Sequence, residues 1–343
     1  MSSGYSRTTI NDVARKAGVS ISTVSRVMNG GYFVTPELTE KVQKAIEALG
    51  YTPDSVARGM KSKYRYVIGY IVSDLANRHF TVISKVIENI IGSSGFSLIV
   101  CSVDADREKE KQAINLFLSN RVDGMIINTT GKNDDLIASI SRDIPVVLLH
   151  RRLHHRDFRG DYIGSDNYEG GATLARHLLE NGHSRIGLIS SDNTISTFHE
   201  RSSGFLDTLT AAGLTFDEGA RETASYTEEG GYAAIGKLLK RRGDLTAVAI
   251  MNNATAIGAL RYLREHRIPV PEKLSVLSFG EIINSSLLFV KPAFITQLPE
   301  EVGRLAADLI ISRIRDNTLP PREEVVRTRF EKGDSVGNLL FPF

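Results

Sequence analysis

The sequence predicts two kinds of folding unit, a small all-helical head at the N-terminus and a much larger α/β body. Between residues 9 and 29, apolar residues recur at the three- and four-residue spacing of amphipathic helices. From Tyr66 onward, short apolar runs alternate with amphipathic helical stretches, as in parallel sheets covered by helices on both faces. At 343 residues, the chain is long enough for two or three such units.

The segment TINDVARKAGVSISTVSRVMN, residues 9–29, predicts two short helices joined by a tight turn. Thr9 and Asp12 form the start of the first helix, and Gly18 can end it in the left-handed conformation. Ser20 begins the second helix, which turns Val24, Val27 and Met28 inward. This spacing is that of a helix-turn-helix, whose second helix lies in the major groove of DNA. An ordinary helical hairpin would show the same spacing.

The residue detail of this segment favours the first interpretation. DVARKAGVSISTVSRVMN, residues 12–29, resembles the N-terminal signature of the LacI/GalR (lactose-repressor) family almost residue for residue. The resemblance implies a bacterial transcriptional regulator, and we expect a repressor whose partner is double-stranded operator DNA. Base edges are the expected contacts of Ile21, Ser22 and Arg26, with Ser22 at the family's position of sequence choice. Phosphates are the expected contacts of Thr9, Ser20, Thr23, Ser25 and Asn29.

A third helix and a connecting segment follow the motif. Thr35 and Pro36 predict the start of that helix, and Gly50 predicts its end. The next residues, 51–60, match the family's hinge, a short helix that pairs with its dimer mate and wedges an apolar side chain into the minor groove. The resemblance gives this segment two further DNA-contacting residues, Ala57 and Met60. A plain linker is the alternative, because few apolar residues would hold so short a helix.

Charge is unevenly distributed along the chain. Residues 1–65 hold ten Lys or Arg and five Asp or Glu, a balance of +5, so the other 278 residues carry about −3 of the total +2. This asymmetry fits a nucleic-acid-binding head on a nearly neutral body.

Composition and cysteine content predict a globular protein of a reducing compartment. The chain is 41% hydrophobic and 24% charged, and Cys101 is its one cysteine, so an intramolecular disulfide is impossible. The N-terminal stretch has no apolar segment typical of a secretory signal, and no apolar run reaches transmembrane length. We therefore expect a cytoplasmic, nucleoid-associated protein.

The body is predicted as two doubly wound parallel-sheet subdomains separated by a break at residues 151–166. The predicted strands are 66–72, 96–102, 122–128, 145–150, 185–190, 221–225, 245–251 and 274–279. The predicted helices are 80–92, 108–119, 134–141, 167–181, 199–212, 227–241 and 254–266. This order resembles the periplasmic-binding-protein fold of the family's effector domain, in which the last strand and helix, Ala293–Ile314, return to the first subdomain.

These patterns predict three domains. Residues 1–50 form the helix-turn-helix DNA-binding domain, 51–62 the hinge, and 63–343 the domain for effector binding and dimerisation. Its first subdomain is predicted as 63–164 with 293–325, and its second as 165–292 with 326–343. We expect a homodimer on a palindromic operator, because the C-terminal tail lacks the leucine heptads of a tetramerising extension.

Ligands of doubly wound sheets bind in the crevice at the carboxyl ends of the strands. An aromatic ring with planar polar groups suits a sugar, and Arg201 aligns with the family's sugar-contacting arginine. The candidate effector-binding residues are Ser73, Asp74, Phe80, His150, Arg151, Arg201, Asn252, Gly280 and Glu281, with Asn77 and Asn253 beside them.

Departures from the family pattern predict an anionic effector. The family commonly has Asp where this chain has His150, Asn253 and Gly280, so three acceptors for sugar hydroxyls are missing. His150, Arg151, Arg152 and Arg201 leave the same crevice more cationic. We expect a sugar acid or a sugar phosphate. A neutral sugar is the alternative, with Arg152 and Arg156 in a solvated loop.

Motifs for catalysis are weak. Residues 231–237 match a phosphate-binding loop, but Leu238 stands where Ser or Thr would bind magnesium, inside a predicted helix. The group His150, His154 and His155 lacks further ligands at metal-binding spacing. We therefore predict no catalytic residues, no cofactor and no metal. A regulator controlled by a protein corepressor is the alternative. An α/β enzyme with a DNA-binding head is disfavoured by the lack of a catalytic or cofactor motif, and a transport binding protein by the lack of an export signal and by the DNA-binding head.

Overall fold

The structure is a computed structural model that describes residues 8–28, 34–51, 64–153, 155–282 and 284–340. It divides the chain into two compact units with the boundary between Arg65 and Tyr66. Several sequence predictions fall outside the described residues: Asn29, Ala57, Met60, His154 and the hinge beyond Tyr51.

The described part of the head holds three helices, α1 (Ile10–Ala17), α2 (Ile21–Met28) and α3 (Pro36–Leu49). The predicted caps are confirmed: Ser20 Oγ accepts from the Thr23 N–H at 3.1 Å, and Thr35 Oγ1 accepts from the Leu38 N–H at 3.4 Å. Gly18 and Gly50 end α1 and α3 as predicted, and both have the left-handed conformation, which was predicted for Gly18. The helices share one small core, whose buried members are Val13, Ala14, Val24, Val42, Ala45 and Tyr51.

The body alternates strands and helices. Its strands are β1 (Val67–Val72), β2 (Ser97–Ser102), β3 (Gly124–Ile127), β4 (Val146–Leu149), β5 (Asp161–Ser165), β6 (Ile186–Ser190), β7 (Arg221–Thr223), β8 (Ala247–Ile250), β9 (Ser275–Phe279), β10 (Ala293–Thr296), β11 (Glu323–Val326) and β12 (Arg329–Glu331). Its helices are α4 (Arg78–Ser93), α5 (Arg107–Ser119), α6 (Asp134–Ile140), α7 (Asn167–Glu180), α8 (Ser196–Ala211), α9 (Glu228–Arg241), α10 (Asn253–Glu265) and α11 (Pro299–Arg315).

The strands form two six-stranded sheets, which confirms the predicted fold class. The first has the order β2-β1-β3-β4-β5-β11 and is parallel throughout. The second has the order β7-β6-β8-β9-β10-β12, and only β12 runs antiparallel to its neighbour. In both sheets the order reverses beside the first strand, so a crevice forms at the carboxyl ends of the strands there.

Alternate residues of a strand enter the cores on opposite faces of its sheet. In the second sheet, Val248 and Ile250 of β8 join one core, and Ala247 and Ala249 join the other. Both sets are fully buried. This is why the strands appear in the sequence as continuous apolar runs.

The interpretation of residues 151–166 as a break is wrong for β5, which lies inside the first sheet. Strand β5 escaped prediction because it begins with a carboxylate, Asp161, and contains Gly164, so it is not an apolar run. The charge of Asp161 is compensated by residues far along the chain, which local patterning does not show.

The predicted return of residues 293–314 to the first subdomain is also wrong in part. Strand β10 pairs with β9 and β12 and belongs to the second sheet. Only helix α11 returns, where it packs on α4 and on strands β3, β4 and β5. The chain therefore crosses after Thr296, and two strands missed in the sequence, β11 and β12, complete the two sheets.

A buried ion cluster fixes α11 to the first sheet. The fully buried carboxylate of Asp161 accepts from Arg313 Nε at 2.9 Å and from Arg322 Nη2 at 2.6 Å. Burial alone would raise the pKa of Asp161, but the two guanidinium groups outweigh it and lower that pKa. Arg313 Nη2 also donates to Asp161 Oδ1 at 2.5 Å, and the other donors of Arg313 are taken up by the carbonyls of Arg159, Leu319 and Pro320.

Replacing Asp161 by Asn should strongly destabilise the body, because it leaves the buried guanidinium of Arg313 without a counter-charge. We expect a loss of about 3–5 kcal/mol in the free energy of unfolding, measured by urea titration with circular dichroism. The matched control is Asp308→Asn, which removes an exposed ion pair with Arg304 at 3.2 Å on the same helix and should cost less than about 1 kcal/mol. Equal losses in the two variants would contradict this account.

Candidate functional site

Helix α2 presents a polar face with one apolar residue. Ser22 and Arg26 are exposed, as is Ile21 with 49% of its surface accessible. Thr23 and Ser25 are half-buried, whereas Val24 is fully buried in the core of the head. The three predicted base-reading residues therefore lie on the side of α2 that does not pack against the head. Their contacts with bases stay a prediction.

The N-terminus of α2 is held by a cluster of hydroxyl groups. Ser20 Oγ lies 2.7 Å from Ser22 Oγ and 2.9 Å from Thr23 Oγ1. At the start of α1, the backbone N–H of Thr9 donates to Asp12 Oδ2 at 2.9 Å. Hydroxyl groups and N–H groups at helix N-termini are common phosphate contacts, so the predicted phosphate-binding residues Thr9, Ser20 and Thr23 have suitable positions.

All nine predicted effector-binding residues line one cavity, which lies where the carboxyl ends of the two sheets face each other. Asn77 and Asn253 line it as well. Its volume is about 90 Å³, below the roughly 300–1,000 Å³ typical of small-molecule pockets. The cleft between the two sheets is therefore nearly closed in this structure.

Arg201 on α8 is the deepest charged group of the cavity, with 6% of its surface exposed. Its Nε donates to Asn167 Oδ1 at 2.9 Å and its Nη1 to the Met251 carbonyl at 2.8 Å. The guanidinium lies over the ring of Phe279, 3.8 Å from the centroid. These partners are neutral, and burial lowers the pKa of Arg201 to about 9.

Close packing of α7 on α8 sets the position of Arg201. A Cβ atom at Gly171 would lie 2.1 Å from the Arg201 carbonyl oxygen, and one at Gly204 would lie 2.0 Å from the Tyr168 carbonyl oxygen. The two helices can approach this closely only because each has a glycine at the contact.

Arg151 follows β4 and is the second buried cation, 8% exposed. Its Nη1 donates to the Thr129 carbonyl at 3.0 Å, and burial lowers its pKa. The loop that carries Thr129 is held by Glu110, whose carboxylate accepts from the Thr130 N–H at 2.7 Å and from Asn133 Nδ2 at 2.7 Å. The carboxylate of Glu110 thus supports the loop and is not among the groups that line the cavity.

Charge in the cavity is positive where it is buried. The two carboxylates that line it, Asp74 and Glu281, are both exposed. The prediction that Arg152 contributes to this charge is wrong: Arg152 does not line the cavity, and it pairs with Glu200 and Glu323. The buried charges that line the cavity are therefore those of Arg151 and Arg201, which form no ion pair among the described residues, while Glu110 and Glu200 act on them from outside the cavity lining.

Two amide side chains bridge the cleft. Asn77 Nδ2 donates to Asn253 Oδ1, and Asn253 Nδ2 donates to Asn77 Oδ1, both at 3.2 Å. Asn253 Nδ2 also donates to the Glu281 carbonyl, and its Oδ1 accepts from the Ala254 N–H. In this closed arrangement, both the oxygen and the nitrogen of the Asn253 amide are hydrogen-bonded within the protein.

Asn252 and Gly280 have clear local roles. Asn252 Oδ1 accepts from the Thr255 N–H at 3.2 Å and so caps α10. Gly280 has φ of 98°, and a Cβ atom there would lie 3.2 Å from Asn253 Cβ. Glycine at this position is explained by the backbone conformation.

Two histidine side chains meet in the cavity. His150 Nε2 lies 2.6 Å from His79 Nε2, with ring centroids 4.7 Å apart. His150 was a predicted site residue and His79 was not. Burial lowers the pKa of His79 to about 3, helped by the charge of Arg201. Burial, His79, Arg201 and Arg151 together hold the pKa of His150 well below its usual value.

Other cavity residues were missed in the sequence although the same rule could have found some of them. Asn128, Gln297 and Tyr226 follow strands β3, β10 and β7, so they satisfy the criterion that selected His150. His79, Thr197 and Phe198 lie in the first turns of α4 and α8, where no strand end marks them. The glycine-rich segment 231–237 lies within α9, as predicted.

Comparison with known proteins decides the family. Residues 9–54 match the family model for bacterial regulatory proteins of the lacI family, and residues 65–332 match that for periplasmic binding proteins and the sugar-binding domain of the LacI family. The chain belongs to the LacI family. This confirms the resemblance drawn from residues 12–29.

The chain is similar to repressors over nearly their whole length. The HTH-type transcriptional repressor PurR of Edwardsiella ictaluri (strain 93-146) is 32% identical over 308 residues, covering 89% of this chain and 90% of that protein. The ribose operon repressor of Escherichia coli (strain K12) is 29% identical over 313 residues, covering 91% and 94%.

A solved structure shares the whole fold. The lac repressor dimer bound to operator and the anti-inducer ONPF superposes with a TM-score of 0.85 at 24% identity, covering 96% of this chain and 99% of that one. This LacI-family protein is thus a DNA-binding transcriptional repressor with an effector domain, and it is not an enzyme. No helix among its described residues is long and apolar enough to cross a membrane.

Proposed function

We propose that this LacI-family repressor acts as a homodimer on a palindromic operator of carbohydrate-metabolism genes and responds to a small acidic sugar derivative, a sugar acid or a sugar phosphate. One observation carries the choice of effector: the buried cations Arg151 and Arg201 line the cavity, while its carboxylates are exposed. Buried charges are costly without a counter-charge, and an acidic ligand supplies one.

The neutral acceptors around the two guanidinium groups support this choice. Arg201 donates to an amide and a carbonyl, and Arg151 donates to a carbonyl. A carboxylate or phosphate makes charge-assisted hydrogen bonds about twice as strong as those to neutral acceptors. An acid therefore gains more from this cavity than a neutral sugar of the same shape.

A second feature supports a hydroxyl-bearing ligand. Asn128 lines the cavity, and its Oδ1 is buried without a hydrogen-bond partner, although its Nδ2 donates to the Leu149 carbonyl at 2.8 Å. An orphan acceptor is satisfied by a hydroxyl donor. The aromatic rings of Phe80 and Tyr226 line the same cavity and suit the apolar face of a sugar ring.

The switch follows from the position of the cavity between two sheets. Arg201 belongs to the layer of the second sheet and Arg151 to the layer of the first. A ligand held by both arginines binds more tightly at one separation of the two sheets than at others. It shifts the equilibrium by its differential affinity for the two arrangements. The hydrogen bonds between Asn77 and Asn253 mark the closed arrangement.

The dimer is supported by the edge of the first sheet. Strand β2 is an edge strand, and its Leu98 and Val100 are only half-buried, whereas the central strand β1 buries Ile68 and Tyr70 completely. An edge strand with apolar side chains is normally covered. A dimer also places two copies of α2 on half-sites near one helical turn apart.

Replacing Arg26 by Ala should relax operator specificity, because a guanidinium that forks onto a guanine reads one base pair per half-site. We expect a loss of roughly 1–3 kcal/mol on an operator selected from random duplexes, with a much smaller loss on random DNA. Fluorescence anisotropy of the full chain measures both. Lys41→Ala, in an ion pair with Glu37 on α3, is the control and should preserve the specificity ratio. Equal losses for Arg26→Ala on both DNAs would show that Arg26 contacts only phosphate.

A thermal-shift screen of the full chain tests the effector. It should show stabilisation by sugar acids or sugar phosphates, such as D-gluconate or ribose 5-phosphate, and not by D-ribose or D-glucose. A ligand at one hundred times its dissociation constant adds about 2.7 kcal/mol, which raises the melting temperature by several degrees. Arg201→Gln and Arg151→Gln should each abolish the response, and the exposed control Arg304→Gln should keep it. A response to neutral sugars alone would contradict the acidic effector, and no response at all would favour a protein corepressor.

A further inference from the structure

His79 and His150 line the cavity and form a hydrogen-bonded pair. The 2.6 Å distance between the two Nε2 atoms requires one ring to donate and the other to accept. His150 is 4% exposed and follows the first sheet's β4, while His79 is partly buried in the first turn of α4. Phe80 packs edge-on against both rings. The neutral pair therefore holds one hydrogen between its rings and one on a Nδ1 atom.

One nitrogen of the pair has no partner. His150 Nδ1 is buried and makes no hydrogen bond, whichever ring donates. When His79 donates, His150 Nδ1 carries a hydrogen without an acceptor. When His150 donates, its Nδ1 is a lone pair without a donor. An unsatisfied buried polar atom destabilises the protein, so its persistence beside a ligand cavity marks it as a group for a ligand.

The charges around the pair keep it neutral without a ligand. The titratable side chains that line the cavity with it are Asp74, Arg78, Arg151, Arg201, Tyr226 and Glu281. Asp74, Arg78 and Glu281 are exposed, and Glu200, next to Arg201, pairs with Arg152 at 3.5 Å. The buried charges facing the rings are guanidinium groups, which oppose protonation.

We propose that the acidic group of the effector binds at the His79–His150 pair together with one proton taken from solvent, so that the pair acts as a proton-accepting anion subsite. The proposal rests on the proposed function, because it assumes an acidic effector in this cavity. It assigns the pair to recognition of a carboxylate or a phosphate, beside Arg201 and Arg151.

The proton changes the pair from an unsatisfied neutral group into a cationic donor. It adds to the Nδ1 atom of the ring whose Nε2–H donates, so the hydrogen bond between the Nε2 atoms persists. Both Nδ1 atoms then carry a hydrogen, and the pair holds one positive charge. His150 Nδ1 becomes a donor in either case. The anion accepts from it and offsets the charge that the guanidinium groups otherwise oppose.

Sulfate is the probe for the test, because it is a dianion throughout the range from pH 5.5 to 7.5, so any pH dependence belongs to the protein. The dissociation constant comes from the sulfate dependence of the melting temperature of the full chain, with ionic strength held constant by sodium chloride. Uptake of one proton should tighten sulfate binding by about tenfold for each unit decrease in pH. Acetate, tested at pH 6.5 and above, is the carboxylate probe. Comparing it with sulfate shows whether the pair prefers a carboxylate or a tetrahedral dianion such as a phosphate.

Ligand-free protein should show the opposite trend. The pKa of each histidine is depressed in the folded chain, so the unfolded chain binds more protons below its histidine pKa of about 6.5. The melting temperature without sulfate should therefore fall as the pH drops below about 6.5, while the sulfate-induced shift grows.

Each of two variants removes one ring of the pair and with it the hydrogen bond between the Nε2 atoms. His79→Gln lies in a regular helix, and His150→Asn suits the left-handed backbone at that position, where φ is 63°. Each should bind sulfate with little dependence on pH, and each should lose less stability on acidification. His199→Gln, exposed on α8, is the matched control and should keep the slope of the unmodified chain.

The outcomes separate this inference from the proposed function. Sulfate binding that is independent of pH in the unmodified chain overturns the histidine subsite and leaves the acidic effector standing. The same is true if both histidine variants keep the full pH slope, because the proton then goes elsewhere. Absence of any sulfate or acetate binding across the pH range overturns both proposals.

Discussion

The chemistry of the effector cleft depends on two buried guanidinium groups that line it and form no ion pair among the described residues. Arg201 donates to an amide and a carbonyl and lies over the Phe279 ring, and Arg151 donates to a carbonyl and contacts Tyr226. Their positions depend on features elsewhere, namely the glycine contact between α7 and α8 and the loop organised by Glu110. Asp161 differs from these arginines, because its buried carboxylate is paired with Arg313 and Arg322. The first arrangement is open to a ligand and the second is complete.

The same cleft holds the parts that a switch needs. The Asn77–Asn253 hydrogen bonds span it, the His79–His150 pair lines it, and the two arginines come from the layers of different sheets. The small cavity volume and the amides that bridge its sides indicate that the cleft is nearly closed in this structure. A ligand that changes the spacing of the two sheets acts on this equilibrium with the free energy difference of its binding to the two states.

Much of the fold and of the candidate site could be predicted from local patterns in the sequence. Caps such as Ser20 and Thr35, and terminating glycines such as Gly18, act within a few residues, so they are visible in the sequence. The residues after β1, β4 and β9 could be placed in one cleft because parallel strands end at the same edge. The exposed face of α2 followed from helical periodicity in the same way.

The failures share a physical cause, since each depended on a partner distant along the chain. Strand β5 was missed because the charge of Asp161 is compensated 152 residues later by Arg313. Arg152 was assigned to the cavity because its partners Glu200 and Glu323 could not be seen locally. His79 precedes the predicted Phe80 by one residue, and only the fold brings it to His150.

The most direct test of the central claim is anomalous diffraction from crystals of the full chain grown or soaked with selenate, a tetrahedral dianion with a selenium edge. The account predicts a selenium peak in the cleft within hydrogen-bonding distance of the Arg201 guanidinium, and its absence in crystals of Arg201→Gln. Peaks confined to surface lysines and arginines, with the cleft empty in the unmodified chain, would contradict the claim that its buried cations form an anion-binding site.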